Sequence, residues 1–163
     1  MMAKPQYITL NYPIKKIVSS TGLNAKLLQI ISSPEVQRLM VDLEFLSAIN
    51  QVVLVTDAIF DTGAPISLFP KRILKKIPNV RLIPHTFWGI VNKHECQVKA
   101  EIGVVAIRFK DLLGKTSPIL EIPVAFTDMT NIPHLIGLKG IIEQVKVIID
   151  YQADEFSLQF NIS

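Results

Sequence analysis

The chain has 163 residues, 49% hydrophobic and 19% charged, a composition that suits one domain with a sizeable core and argues against disorder. Its single cysteine, Cys96, excludes an intramolecular disulfide framework and any multi-thiolate zinc site. The net charge is a mild +3, but residues 62–94 hold six bases and none of the 14 acids.

No apolar run approaches the roughly 18 residues that span a bilayer. Residues 1–17 carry Lys4, Pro5, Asn11, Pro13, Lys15 and Lys16 where a signal peptide has an apolar stretch. The expectation is therefore a cytoplasmic chain with no membrane partner. The basic residues Lys71, Arg72, Lys75, Lys76, Arg81 and Lys93 could attract nucleic acid or acidic peptides, although such runs are more often the wet face of a helix. No aromatic residues interleave with the lysines, so nucleic-acid binding is not expected.

In chain order, residues 1–35 form an N-terminal extension of uncertain structure, with a short strand at Tyr7–Leu10 and a short helix over Asn24–Ile31. From Val36 onward, β signals dominate. Leu39, Val41, Leu43 and Phe45 alternate with Met40, Asp42, Glu44 and Leu46, the period of a half-buried strand. A turn at Ser47–Asn50 leads to the β-branched run Gln51–Ile59, which reads as a buried strand. Pro70 opens a helix with Ile73, Leu74 and Ile77 on its inner face and bases around the rest; Pro78-Asn79 stops it. Leu82–Val91 and Glu95–Phe109 read as a long hairpin. Ile119–Phe126 is a further strand, placed at a sheet edge by Pro123. An apolar segment, Ile132–Ile136, ends at Gly137. A short helix follows over Leu138–Gln144, and Val145–Ile149 and Glu155–Phe160 close the chain as a hairpin. Many short strands with little helix predict a mainly β fold, a small closed β-barrel with one or two short helices.

One segment carries chemistry. Ile59-Phe60-Asp61-Thr62-Gly63-Ala64 puts a carboxylate at the end of an apolar strand, where an ionised group is costly unless hydrogen-bonded. Gly63 permits a sharp turn that brings its N–H near that carboxylate. Taken alone, these residues also describe an ordinary Asx turn.

The wider pattern resembles the retroviral-type, or retropepsin-like, aspartic proteases over about Val36 to Phe160. An apolar strand, Val52–Phe60, runs into Asp61-Thr62-Gly63-Ala64; Ser67 and the helix from Pro70 follow at the family's spacing. The family's second motif is matched by Leu135-Ile136-Gly137, then Ile141-Ile142, then Val147-Ile148-Ile149-Asp150-Tyr151. Phe87-Trp88-Gly89-Ile90-Val91-Asn92 occupies the place of the flap hairpin that covers substrate. The resemblance implies a protease domain over residues 36–163 with Asp61, Thr62 and Gly63 as the catalytic loop. It implies substrate contacts from Ala64, Trp88, Gly89, Ile90 and Ile136, and neither cofactor nor metal.

Aspartic proteolysis needs two carboxylates sharing a proton, because like charges about 3 Å apart cannot both ionise. The chain has one Asp-Thr-Gly, and Asp57 lacks the turn glycine. The expected active site is therefore shared by a homodimer across a two-fold axis, acting on a peptide or protein substrate. The sequence departs from the family at Pro65 and Leu138, where many members carry an Asp and an Arg that pair. The rival reading is a catalytically inactive barrel that serves as a dimerisation or peptide-binding module. Among other candidates, His94, Glu95 and Cys96 are strand neighbours that alternate faces and cannot easily converge. His85 and His134 are expected to be hydrogen-bonded structural residues, and Tyr151 to pack in the closing hairpin.

Overall fold

The computed structural model describes residues 6–18, 35–49, 51–87 and 98–162. Among these the chain is mainly β. Its strands are β1 (Tyr7–Val18), β2 (Glu35–Leu46), β3 (Val52–Phe60), β4 (Ser67–Pro70), β5 (Ile83–Phe87), β6 (Val98–Lys110), β7 (Leu120–Thr127), β8 (Leu135–Ile136), β9 (Val145–Asp150) and β10 (Glu155–Asn161). The one regular helix among the described residues is a 3₁₀ helix, Lys71–Lys75. The helix expected at Asn24–Ile31 lies outside the described residues.

β2 organises the sheet. One edge pairs with β3; the other pairs first with β1 and then, from Asp42, with β6. β6 pairs with β7, β7 runs parallel to β4, β4 pairs with β8, and β8 runs parallel to β3. The hydrogen-bonded pairings therefore return to their start through β2–β6–β7–β4–β8–β3. β1 leaves this circuit: Ile14–Val18 pairs with β2, while Tyr7–Pro13 pairs with β10, which carries β9 on its far side. The strand expected at Tyr7–Leu10 is thus twelve residues long, and its Leu10, Tyr12 and Ile14 are core residues.

The alternation read in β2 is the reason it can sit here. Leu39, Val41, Leu43 and Phe45 are all buried and join β3, β6 and β10 in one core. Phe45 meets Phe69 edge to face at 5.0 Å, and Tyr12 stacks on Phe156 at 5.1 Å. Burial pushes the Tyr12 hydroxyl far above its ordinary pKa, and the charges of Asp111 and Asp42 add to that.

Several expectations are corrected. β3 is not a buried strand: only Val55, Ala58 and Phe60 are buried, and Val52 and Leu54 are half exposed. A bulge divides it, with Thr56 and Asp57 opposing Asp42; Asp57 has φ 56°, and its N–H donates to Asp42 Oδ1 at 3.0 Å. Pro123 does not make β7 an edge strand. β4 joins β7 from Val124 onward, one residue past the proline, so the missing N–H falls where that side has no partner. No regular helix forms over Leu138–Gln144. Gly140, at φ 80°, breaks the segment into tight turns, including Ile141 N–H to Leu138 O at 3.0 Å. Tyr151 is exposed at the tip of the β9–β10 hairpin rather than packed.

Glu44 breaks the polar-outside rule of β2, since it is buried. Arg108 Nε lies 2.5 Å and Lys110 Nζ 3.3 Å from its carboxylate, both on the neighbouring β6. Burial alone would raise its pKa; the hydrogen bonds and charges of Arg108 and Lys110 outweigh that and hold it below the ordinary carboxylate value. The contribution of Glu44 to stability is therefore complete above the unfolded value of about 4.3 and is lost as pH falls through the lower folded value. Glu44→Gln is expected to cost about 1–3 kcal/mol at pH 7, where it leaves two bases short of their partner. Urea unfolding at a series of pH values from 7 downward checks this: the gap between wild type and variant should narrow once the pH falls through the lowered folded value.

Candidate active site

The site begins where β3 ends. Phe60 is buried and pairs with Ile136 in the parallel β3–β8 contact, so the next residue, Asp61, emerges at the rim of the core. Its N–H donates to Ile136 O at 2.9 Å, which fixes the start of the loop to β8. The chain then turns sharply. Gly63 N–H donates to Asp61 Oδ1 at 2.9 Å, and Ala64 N–H donates to Asp61 O at 3.2 Å. This is the Asx turn that the residue types foretell. It leaves Asp61 half buried, with one carboxylate oxygen held by the backbone, while Thr62 and Gly63 are exposed.

A second chain segment locks the turn from below. Leu138 N–H donates to Ala64 O and Lys139 N–H to Pro65 O, each at 3.0 Å. Gly137 N–H donates to Ser67 Oγ at 3.1 Å, and Ser67 is fully buried. The segments are so close that a Cβ on Gly137 would lie 2.4 Å from Ile66 C, 2.6 Å from Ile66 O and 2.8 Å from Ala64 O. Only glycine fits between two backbones at that distance.

The two motifs singled out in the sequence are thus brought together. Asp61, Thr62, Gly63 and Ala64 form one loop, with Ala64 half buried at its base. Ile136, expected among the substrate contacts, has a fully buried side chain in the main core, and what it offers the loop is its carbonyl. Trp88, Gly89 and Ile90 lie outside the described residues, as do His94, Glu95 and Cys96. The hairpin that would carry the flap is present at its base, as β5 paired with β6 from Ile83–Ile102 to Phe87–Val98.

Strand alternation separates the two side chains of β8. Leu135 and Ile136 are successive residues of β8, so they face opposite sides. Ile136 faces the core, while Leu135 is partly exposed and packs in a second, smaller cluster with Ile66, Leu68 and Phe87. That cluster joins the loop after Asp61 to the base of the β5–β6 hairpin. Sequence reasoning did not name Ile66, Leu68 or Leu135 as neighbours of the loop; for Leu135 the signal was strand alternation, which sets it opposite Ile136.

Among the described residues neither histidine ring has a hydrogen-bond partner; each packs against an aromatic ring instead. His134 stacks on Phe69 at 5.5 Å, and His85 meets Phe87 edge on at 4.7 Å. Burial lowers the His134 pKa, and the Arg72 charge lowers it further. Asp57, the other carboxylate of β3, sits at the bulge and pairs with Lys15.

No family model matches the chain, and no curated protein does. Among solved structures, the fold is similar to that of a retropepsin-like aspartic protease from Rickettsia conorii, with a TM-score of 0.53 and 12% sequence identity over 100% of this chain and 99% of that one. At that identity the likeness is one of fold.

The contact at Gly137 is testable. Gly137→Ala should destabilise the chain by several kcal/mol, since its neighbours are backbone atoms that cannot rotate away. Gly114, at φ 81° with nothing within 4 Å of where a methyl would sit, is the control; Gly114→Ala should cost only about 1 kcal/mol. Thermal unfolding of both variants checks the difference.

Proposed function

We propose that this chain is an aspartic endopeptidase, with the circuit β2–β6–β7–β4–β8–β3 acting as a small barrel that holds one half of a two-fold active site. The observation that carries the reading is the Asp61–Ala64 turn, bound by its backbone to Ile136 and Leu138. The fold likeness to a retropepsin-like aspartic protease supports it.

The chemistry follows from one carboxylate per chain. Two copies would bring two Asp61 side chains face to face, sharing one proton. The ionised one takes a proton from a water, which attacks the peptide carbonyl; the protonated one polarises that carbonyl. The Gly63 N–H already occupies one oxygen of Asp61, which leaves the other for water or substrate. Thr62 is exposed beside it and open to the partner's loop. Ile66, Leu68 and Leu135 supply an apolar wall for substrate side chains next to Ala64, and the hairpin tip with Trp88, Gly89 and Ile90 closes over an extended peptide. The reaction needs no metal or cofactor.

Asp61→Asn keeps the shape of the turn but cannot act as base, so hydrolysis of a fluorogenic peptide should fall by about 10²–10⁴-fold or more. Light scattering should find the same assembly as for wild type. Undiminished hydrolysis by the purified variant would sink the assignment of Asp61, and absence of hydrolysis by the wild type would leave the inactive-barrel reading in its place. Thr62→Ala should weaken association through lost hydrogen bonds of about 1–3 kcal/mol each, making activity steeply dependent on protein concentration. An active wild-type monomer in the ultracentrifuge would sink the shared site.

A further inference from the structure

Away from the Asp61 loop, β3 has an open side. It pairs with β2 from Val52 onward, but on its other edge it meets β8 only at Ile59 and Phe60. Among the described residues, the edge from Val52 to Thr56 therefore has no partner strand. A bare edge presents unpaired N–H and C=O groups to any extended chain that reaches it.

Beside that edge lies a groove of about 440 Å³, with Val53–Thr56 along one wall and Arg72, Lys75 and Lys76 along the other. No acidic residue lines it. None of the three bases takes part in an ion pair with a described carboxylate. They are held in place, because the helix that leads them is anchored by the buried Ile73, and Ile77 beyond it is buried too. Three of the six bases noted in residues 62–94 thus form one positively charged wall facing a strand edge that has no partner among the described residues.

We infer that this groove binds an acidic, extended segment of a partner protein, which adds to β3 as a strand while its carboxylates meet Arg72, Lys75 and Lys76. Strand addition takes affinity from main-chain hydrogen bonds and selectivity from the flanking side chains. The length fits a short insertion: four residues of strand span about 13 Å. Nucleic acid fits less well. The groove offers no open ring for base stacking, since the only ring in its lining, His134, is stacked on Phe69. The chain's own residues 19–34 carry Lys26 and no acid, the wrong charge for this wall.

The test is fluorescence anisotropy with a labelled octapeptide alternating Glu and Val. Wild-type protein and Asp61→Asn should bind it equally, because the groove is separate from the proposed catalytic loop, and binding should weaken as salt rises. The variant R72Q/K75Q/K76Q should bind at least tenfold more weakly. The same peptide N-methylated at alternate residues should lose binding to wild-type protein to a similar degree, an arm that needs no protein variant. A Lys-Val octapeptide should not bind. The inference is overturned if the Glu-Val peptide fails to bind, if the N-methylated peptide or the triple variant binds as the originals do, or if a dodecamer of thymidine binds more tightly. Loss of binding in Asp61→Asn would also overturn it, by placing the peptide at the catalytic loop instead.

Discussion

The whole arrangement depends on two backbones passing within van der Waals reach of each other. At Gly137 the chain that leaves β8 crosses under the Ala64–Ile66 segment, with no room for even a methyl group. That approach lets Leu138 and Lys139 donate to Ala64 and Pro65, and lets Gly137 donate to the buried Ser67 hydroxyl. Buried main-chain groups must be paired, so each of these bonds also removes a desolvation cost that the turn would otherwise carry. Asp61 is held still because the residues on both sides of it are tied to a second strand. The proposed sharing of a proton between two such carboxylates would draw on that fixity more than on burial.

The same rule governs polar groups elsewhere in the sheet. Asp42 accepts the N–H of Asp57, which the bulge has turned to positive φ and so removed from the ladder. Glu44 is buried but meets two bases from the strand that β2 pairs with. Both acids lie on β2, whose edges serve three different partners. Asp42 takes the place of a ladder bond that the bulge in β3 breaks, while Glu44, paired on both edges, is instead neutralised by the side chains of Arg108 and Lys110.

Strand positions were readable because alternation is a local property. Leu39 to Phe45 announces a half-buried strand whatever lies around it, and the closing hairpin does the same. What could not be read depended on distant chain. The burial of β3 was overestimated because β-branched residues look alike on either face of a strand; Val52 and Leu54 alternate onto the outer face, away from Val53 and Val55. Pro123 suggested an edge strand, yet β7 becomes interior one residue later, where β4 joins it. In the site, the Asp61 turn followed from residue types at adjacent positions, so it was legible. Its partner contacts were legible only as order along the chain. Ile136 and Leu135 show the difference: the segment was located from its residues, but which of the two faces the main core was a question of topology.

Pro65 and Leu138 stand where the resemblance to retropepsin-like proteases leads one to expect a charge pair, and the geometry explains why its absence is tolerable. The residues are not idle in this chain. Pro65 accepts a hydrogen bond through its carbonyl from Lys139, and Leu138 donates through its own N–H to Ala64. The two segments are therefore already joined by main-chain bonds that do not depend on side-chain identity. Removing one member of a buried ion pair strands the other, at a cost of about 3–5 kcal/mol, whereas replacing both with apolar residues can be neutral. Leu138 packs against the main core, and Pro65 is exposed, so neither leaves a charge unmet. With Pro65 and Leu138 at these positions, the main-chain lock beneath the Asp61 loop stands without a charge pair.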